Sequence, residues 1–129
     1  MSGDRILVVE DNPLNLKLVR DVLSAHGYEV VAAMTGEEGV ALAATCSPDL
    51  VLMDLQLPGI DGYEALRLLR QDARLDGVPV VAVTAFVMAE DRERTSREGF
   101  DGYLAKPVSV GALPSQVSDF LRDGRADAR

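Results

Sequence analysis

Runs of aliphatic residues alternate along this chain with segments of helical spacing, and that alternation is what most limits its fold. Ile6-Leu7-Val8-Val9, Leu50-Val51-Leu52-Met53 and Val80-Val81-Ala82-Val83 are continuous rather than alternating apolar stretches. Strands buried on both faces read this way, as in a parallel sheet covered by helices. Weaker strand signals at Glu29–Ala33 and Gly102–Ala105 bring the predicted strands to five, with the first at Arg5–Val9. Strand and helix in strict alternation imply right-handed crossovers and helices on both faces. The expected fold is α/β, a doubly wound five-stranded parallel sheet of flavodoxin-like strand order 2-1-3-4-5.

Local signals mark the helices. Asn12-Pro13 supplies an N-cap and a proline at the first helical position, and Gly27 ends that helix. Thr35 and Glu38 have capping-box spacing for the second helix. Leu57-Pro58-Gly59-Ile60-Asp61-Gly62 reads as a loop before the third. The fourth, about Ala89–Glu98, has almost no apolar stripe among its charges, so burial contributes little to it. For the fifth, Pro114 sits too far in if Ser109 is the cap; either the helix starts later or it kinks. Residues 1–121 are expected to form one domain and 122–129 a polar, frayed tail.

In such a sheet all strand C-termini share one edge, where ligands bind. Glu10 and Asp11 end the first strand, Asp54 the third and Thr84 the fourth, and Lys106 follows the fifth. Three carboxylates, a hydroxyl and an ammonium at one edge suit a divalent cation and a phosphoryl group. Asp54 is the candidate nucleophile, because aspartyl phosphates are an established covalent intermediate. Its own charge repels an incoming phosphate, so it needs Mg²⁺, for which Glu10 and Asp11 offer further oxygens. Lys106 supplies a point positive charge, and the Thr84 hydroxyl a donor to a phosphoryl oxygen. Ala85 is small enough to leave the approach open.

Other chemistries fit poorly. The lone His26 lies at a helix end, away from the strand tips, which excludes a Ser-His-Asp triad there. No Cys/His set suits zinc and no Walker loop is present. A flavin-binding reading fails because Glu10-Asp11 would repel a cofactor phosphate. A net charge of −8 argues against nucleic acid as partner. The single Cys46 allows no internal disulfide, and no membrane segment or signal peptide is legible, so a cytoplasmic location without membrane contact is expected.

These motifs together resemble the receiver domain of bacterial response regulators, over about Asp4 to Leu121. Leu7-Val8-Val9-Glu10-Asp11-Asn12, Leu52-Met53-Asp54 through Gly62, Val83-Thr84-Ala85 and Lys106-Pro107 carry the likeness. Glu10-Asp11-Asn12-Pro13-Leu14-Asn15, Ala82-Val83-Thr84-Ala85-Phe86 and Lys106-Pro107-Val108-Ser109-Val110 resemble single-domain members that act in cell-cycle control. The resemblance implies phosphorylation on Asp54. It implies Mg²⁺ held by Asp11 and Asp54 side chains and by the Gln56 backbone carbonyl, with Glu10 holding metal-bound water. Thr84 and Lys106 would bind the phosphoryl group, and Tyr103 would be the switch aromatic. Gln56 and Phe86 would flank the path of attacking water, and Lys106-Pro107 would be cis.

It further implies a phosphorelay protein rather than an enzyme. The phosphate source would be a sensor histidine kinase or histidine phosphotransfer protein. With no output domain after the fifth helix, the signal would pass to a downstream kinase or scaffold protein. The face formed by the fourth helix, fifth strand and fifth helix would bind it, the protein being a monomer or a weak phosphorylation-dependent dimer. The alternative is a phosphotransfer intermediate that hands its phosphate to a histidine phosphotransfer protein.

Overall fold

The computed structural model describes residues 3–85 and 88–125. The aliphatic runs form the strands β1 (Arg5–Val9), β3 (Leu50–Asp54) and β4 (Val80–Thr84), flanked by β2 (Glu29–Ala33) and β5 (Gly102–Ala105). All pair in parallel in the order β2-β1-β3-β4-β5. Alternation along each strand splits the core in two. Leu7, Val9, Val51, Met53 and Ala82 face α2 (Gly36–Cys46) and α3 (Gly62–Arg70). Ile6, Val8, Leu50, Leu52, Val81 and Val83 face α1 (Pro13–Ala25) and α5 (Leu113–Asp123). Each large side chain buried this way contributes about 1.5–3 kcal/mol, so the three central strands anchor the molecule.

The helix ends follow local chemistry. The Asn12 side chain accepts from the Leu14 and Asn15 N–H groups at 2.9 and 3.1 Å. Thr35 Oγ1 accepts from the Glu38 N–H at 3.0 Å. The Glu38 carboxylate takes the Met34 N–H, one residue before the cap, instead of closing the box on Thr35. Asp61 caps α3 through the Glu64 N–H. By contrast α4 (Ala89–Glu98) has no side-chain cap and buries only Thr95. His26 ends α1 with its Nδ1 3.0 Å from the Val22 carbonyl oxygen.

The question raised by Pro114 is resolved by a late start: α5 begins at Leu113, with Pro114 in its first turn, where no N–H is needed. Ser109 instead closes a turn by accepting from the Ala112 N–H. The frayed tail is corrected in part, since α5 runs through Asp123 and Arg125 is half-buried, donating to the Asp76 carbonyl at 2.8 Å. A 3-10 turn at Ala73–Leu75, capped by Asp72, precedes β4 and was not legible in the spacing. No helix among the described residues is long and apolar enough to cross a membrane.

Candidate functional site

Register builds the site. Val9 pairs with Met53, Asp54 with Val83 and Thr84 with Ala105, so successive strand tips deliver Glu10, Asp54, Thr84 and Lys106 side by side. The Lys106 N–H donates to the Thr84 carbonyl at 2.9 Å, extending the ladder one residue past β5. The Lys106–Pro107 peptide is cis.

Lys106 Nζ stands 2.9 Å from Asp54 Oδ2 and 2.8 Å from Glu10 Oε1. Asp54 Oδ1 accepts from the Gln56 N–H at 3.0 Å, and Glu10 Oε2 from the Asn12 N–H at 3.0 Å. Glu10 and Asp54 are 5% and 3% exposed, whereas Asp11 lies open to solvent. One carboxylate oxygen from each of Glu10, Asp11 and Asp54 falls within 4.8 Å of the others, a set that can hold a metal ion. The donor set is all oxygen and anionic, as hard cations such as Mg²⁺ prefer.

Burial pushes the Glu10 carboxyl above its ordinary range, against the opposing pull of Lys106. For Lys106, burial acts against the charge, but hydrogen bonds to Glu10 and Asp54 outweigh it and raise the ammonium above its ordinary value. The ammonium therefore stays charged and bridges two carboxylates that would otherwise repel each other.

The other predicted residues fall around this centre. Thr84 is buried at the tip of β4. Gln56 enters through its main chain, its side chain being exposed. Tyr103 is half-buried on β5, beside Ala82 rather than at the acidic tip. Phe86 lies outside the described residues.

Two contributors were not singled out from the sequence. The Asn12 N–H fixes the Glu10 carboxylate, a role carried by backbone and so invisible to residue type. Gly62 opens α3 so close to the end of β3 that a Cβ there would lie 2.6 Å from the Asp54 carbonyl oxygen and 2.8 Å from Leu55 Cα. Any side chain would push α3 off the loop that carries Gln56. The glycine after Asp61 was the available signal, read only as part of a turn.

Known proteins resemble this chain in sequence and fold. The family described as Response regulator receiver domain matches residues 6–118. The polar-differentiation response regulators DivK of Brucella ovis and Brucella abortus are 43% identical to the chain over 118 residues, covering 92% of it and 96% of their own length. The receiver domain of sensor histidine kinase PA1611 from Pseudomonas aeruginosa, solved with a magnesium ion coordinated in its active-site cleft, is 36% identical with TM-score 0.85. That match covers 94% of this chain and 99% of that one. The chemotaxis regulator CheY4 of Vibrio cholerae, at 24% identity, shares the fold with TM-score 0.87, over 92% and 98% of the two chains. On the family match and these identities, the chain belongs to the response regulator receiver family.

Proposed function

We propose that this protein is a cytoplasmic, single-domain phospho-acceptor that takes a phosphoryl group onto Asp54 and signals by binding other proteins. The observation that carries this reading is the wiring of Asp54: a buried carboxylate held by one ammonium and one peptide N–H, beside two further carboxylates. The likeness to DivK over 96% of that regulator's length supports the single-domain reading.

Asp54, Asp11 and the Gln56 carbonyl would hold Mg²⁺, with Glu10 acting through metal-bound water. Bound there, the ion neutralises charge that would otherwise repel the phosphoryl group. The donor is the phosphohistidine of a sensor kinase or histidine phosphotransfer protein. An Asp54 oxygen forms the new O–P bond, the N–P bond breaks, and imidazole leaves with the electron pair. Lys106 then moves from pairing a carboxylate to pairing phosphoryl oxygens, and the Thr84 hydroxyl donates to another. Gln56 keeps the Asp54 carboxylate oriented through its N–H.

The signal is a population shift. Phosphoryl contacts with Thr84 favour one arrangement of its loop, which biases Tyr103 and the face formed by α4, β5 and α5 toward a downstream kinase or scaffold. A groove of 260 Å³ beside Lys106, lined by Leu18, Pro107 and Val108, lies on the side from which a donor or acceptor would approach in this reading. That approach also suits the second reading, onward transfer to a histidine phosphotransfer protein.

Incubation with Mg²⁺ and a small-molecule phosphodonor, followed by intact-mass analysis, tests the reading. One phosphate adduct is expected in the wild type and none in Asp54→Ala or in the presence of chelator. An adduct that survives Asp54→Ala, or none where another receiver is labelled, overturns it. Adding a histidine phosphotransfer domain to labelled protein tests the second reading: label that stays on Asp54 overturns it.

A further inference from the structure

The α4 helix is held by contacts that its sequence pattern does not announce. Burying only Thr95 and lacking a side-chain cap, it has little apolar anchorage. Two arginines bridge it to the rest of the domain. The Arg92 guanidinium carbon lies 5.0 Å from the centre of the Tyr103 ring on β5. That of Arg94 lies 4.1 Å from the Tyr63 ring on α3, and Tyr63 in turn meets Phe100 edge-on with centroids 5.8 Å apart. A third link, Arg67 to Glu98 at 3.5 Å, is exposed and weak.

We propose that Arg92 is a positioning residue for Tyr103: its cation–π contact holds the ring in the pose that accompanies an Asp54 carboxylate paired with Lys106. The proposal rests on the reading of Asp54 as acceptor and Tyr103 as switch. A ring that leaves this pose gives up the Arg92 contact, and α4 then loses one of the two aromatic anchors it has among the described residues. The Arg94–Tyr63 contact lies on the α3 side and does not depend on Tyr103. Arg92 thus sets how readily α4 and Tyr103 leave this arrangement together. A cation–π contact at an exposed site shifts such an equilibrium about 2- to 5-fold, the equivalent of ~0.5–1 kcal/mol.

Labelling the full chain with 3-fluorotyrosine gives one fluorine signal for each of Tyr28, Tyr63 and Tyr103, assigned by Tyr→Phe variants. The signals are followed during titration with beryllofluoride, a mimic of the aspartyl phosphate, in the presence of Mg²⁺. In Arg92→Gln the Tyr103 signal is expected to start nearer its beryllofluoride-saturated position, with half-saturation at about 2- to 5-fold lower concentration. Arg92→Lys, which keeps the cation, should return both readouts toward wild type. Arg94→Gln should move the Tyr63 signal and leave Tyr103 in place. An Arg92→Gln protein with unchanged Tyr103 signal and affinity overturns the proposal. So does an Arg94→Gln protein that displaces Tyr103 equally, because the effect would then be general loosening of α4. If wild type binds beryllofluoride no better than Asp54→Ala, the receiver reading fails and this proposal with it; a failure confined to Arg92→Gln touches only the proposal.

Discussion

Opposite edges of the sheet each hold a buried aspartate, and the two are wired in opposite ways. Asp101, just before β5, has a side chain 2% exposed. It accepts from the Val80 N–H at 2.8 Å and from Arg70 Nη2 at 3.1 Å, with Arg125 Nε at 3.6 Å. Both arginines are tied to main-chain oxygens as well: Arg70 to Leu75 and Val78, Arg125 to Asp76. Among the described residues each of these charges meets several partners, so this cluster joins α3, β4, β5 and the chain after α5. At the other edge, Glu10 and Asp54 share the ammonium of Lys106 with Asp11 close by, which leaves a surplus of negative charge among the described residues. That surplus is what one divalent cation cancels. A buried carboxylate saturated with partners serves the fold; one left short of positive charge, at an edge open to solvent, is available for chemistry.

Breaking the Asp101 cluster should have the largest effect. Asp101→Ala removes the buried carboxylate that two largely buried guanidiniums face and is expected to cost about 3–5 kcal/mol in urea unfolding. The yield of phosphate adduct per folded molecule should not change. Loss of labelling at full foldedness would mean that the two edges are coupled.

Mg²⁺ comes next. At about 100 times its dissociation constant it should add ~2.7 kcal/mol to the unfolding free energy of the wild type. Asp11→Asn should lose most of that gain and Asp101→Ala none of it. Equal stabilisation of wild type and Asp11→Asn would place the ion elsewhere.

Lys106→Met leaves Glu10 and Asp54 facing each other and is expected to cost about 1.5–3 kcal/mol, the range for hydrogen bonds to charged groups. Adding Mg²⁺ should recover more stability in this variant than in the wild type, because the ion then takes over the missing neutralisation. A variant as stable as wild type without the ion would show that water already screens the pair.

The smallest effect is on pH dependence. Glu10 and Lys106 are both raised in the folded protein, from ordinary values of 4.5 and 10.5. Each therefore contributes stability that is fully present below its unfolded value and lost as pH rises through its folded value. Comparing unfolding curves, Glu10→Gln should flatten the decline just above pH 4.5, and Lys106→Met the decline above pH 10.5. A wild type whose stability rises through either window relative to its variant would reverse the assigned sign.

Much of the site was legible because strand ends are legible. Continuous aliphatic runs stop where Asp54 and Thr84 begin the polar tips, and a parallel sheet leaves those tips nowhere to go but one edge. The fourth helix was likewise legible as weakly anchored, since residue type alone reports the absence of an apolar stripe. Harder to read were features that depend on backbone or on approach across the chain. The Asn12 N–H on Glu10 carries no side-chain signature, and the need for Gly62 appears only when α3 lies against Asp54. Arg125 looked like part of a frayed tail; its partners Asp76 and Asp101 lie far off in sequence and arrive by folding.

By itself, then, the sequence determined the alternation of strand and helix, the strand order that burial favours, and the residue types at the acidic edge. These depend on periodicity and local caps, which act over a few residues. Tertiary structure decided which charges are shared and which are saturated: Lys106 between Glu10 and Asp54, two arginines on Asp101, Arg92 over Tyr103. Such pairings join residues up to 96 positions apart, as in Lys106 with Glu10, and only folding brings them within the roughly 6 Å reach of a cation–π contact or the few ångströms of a hydrogen-bonded ion pair.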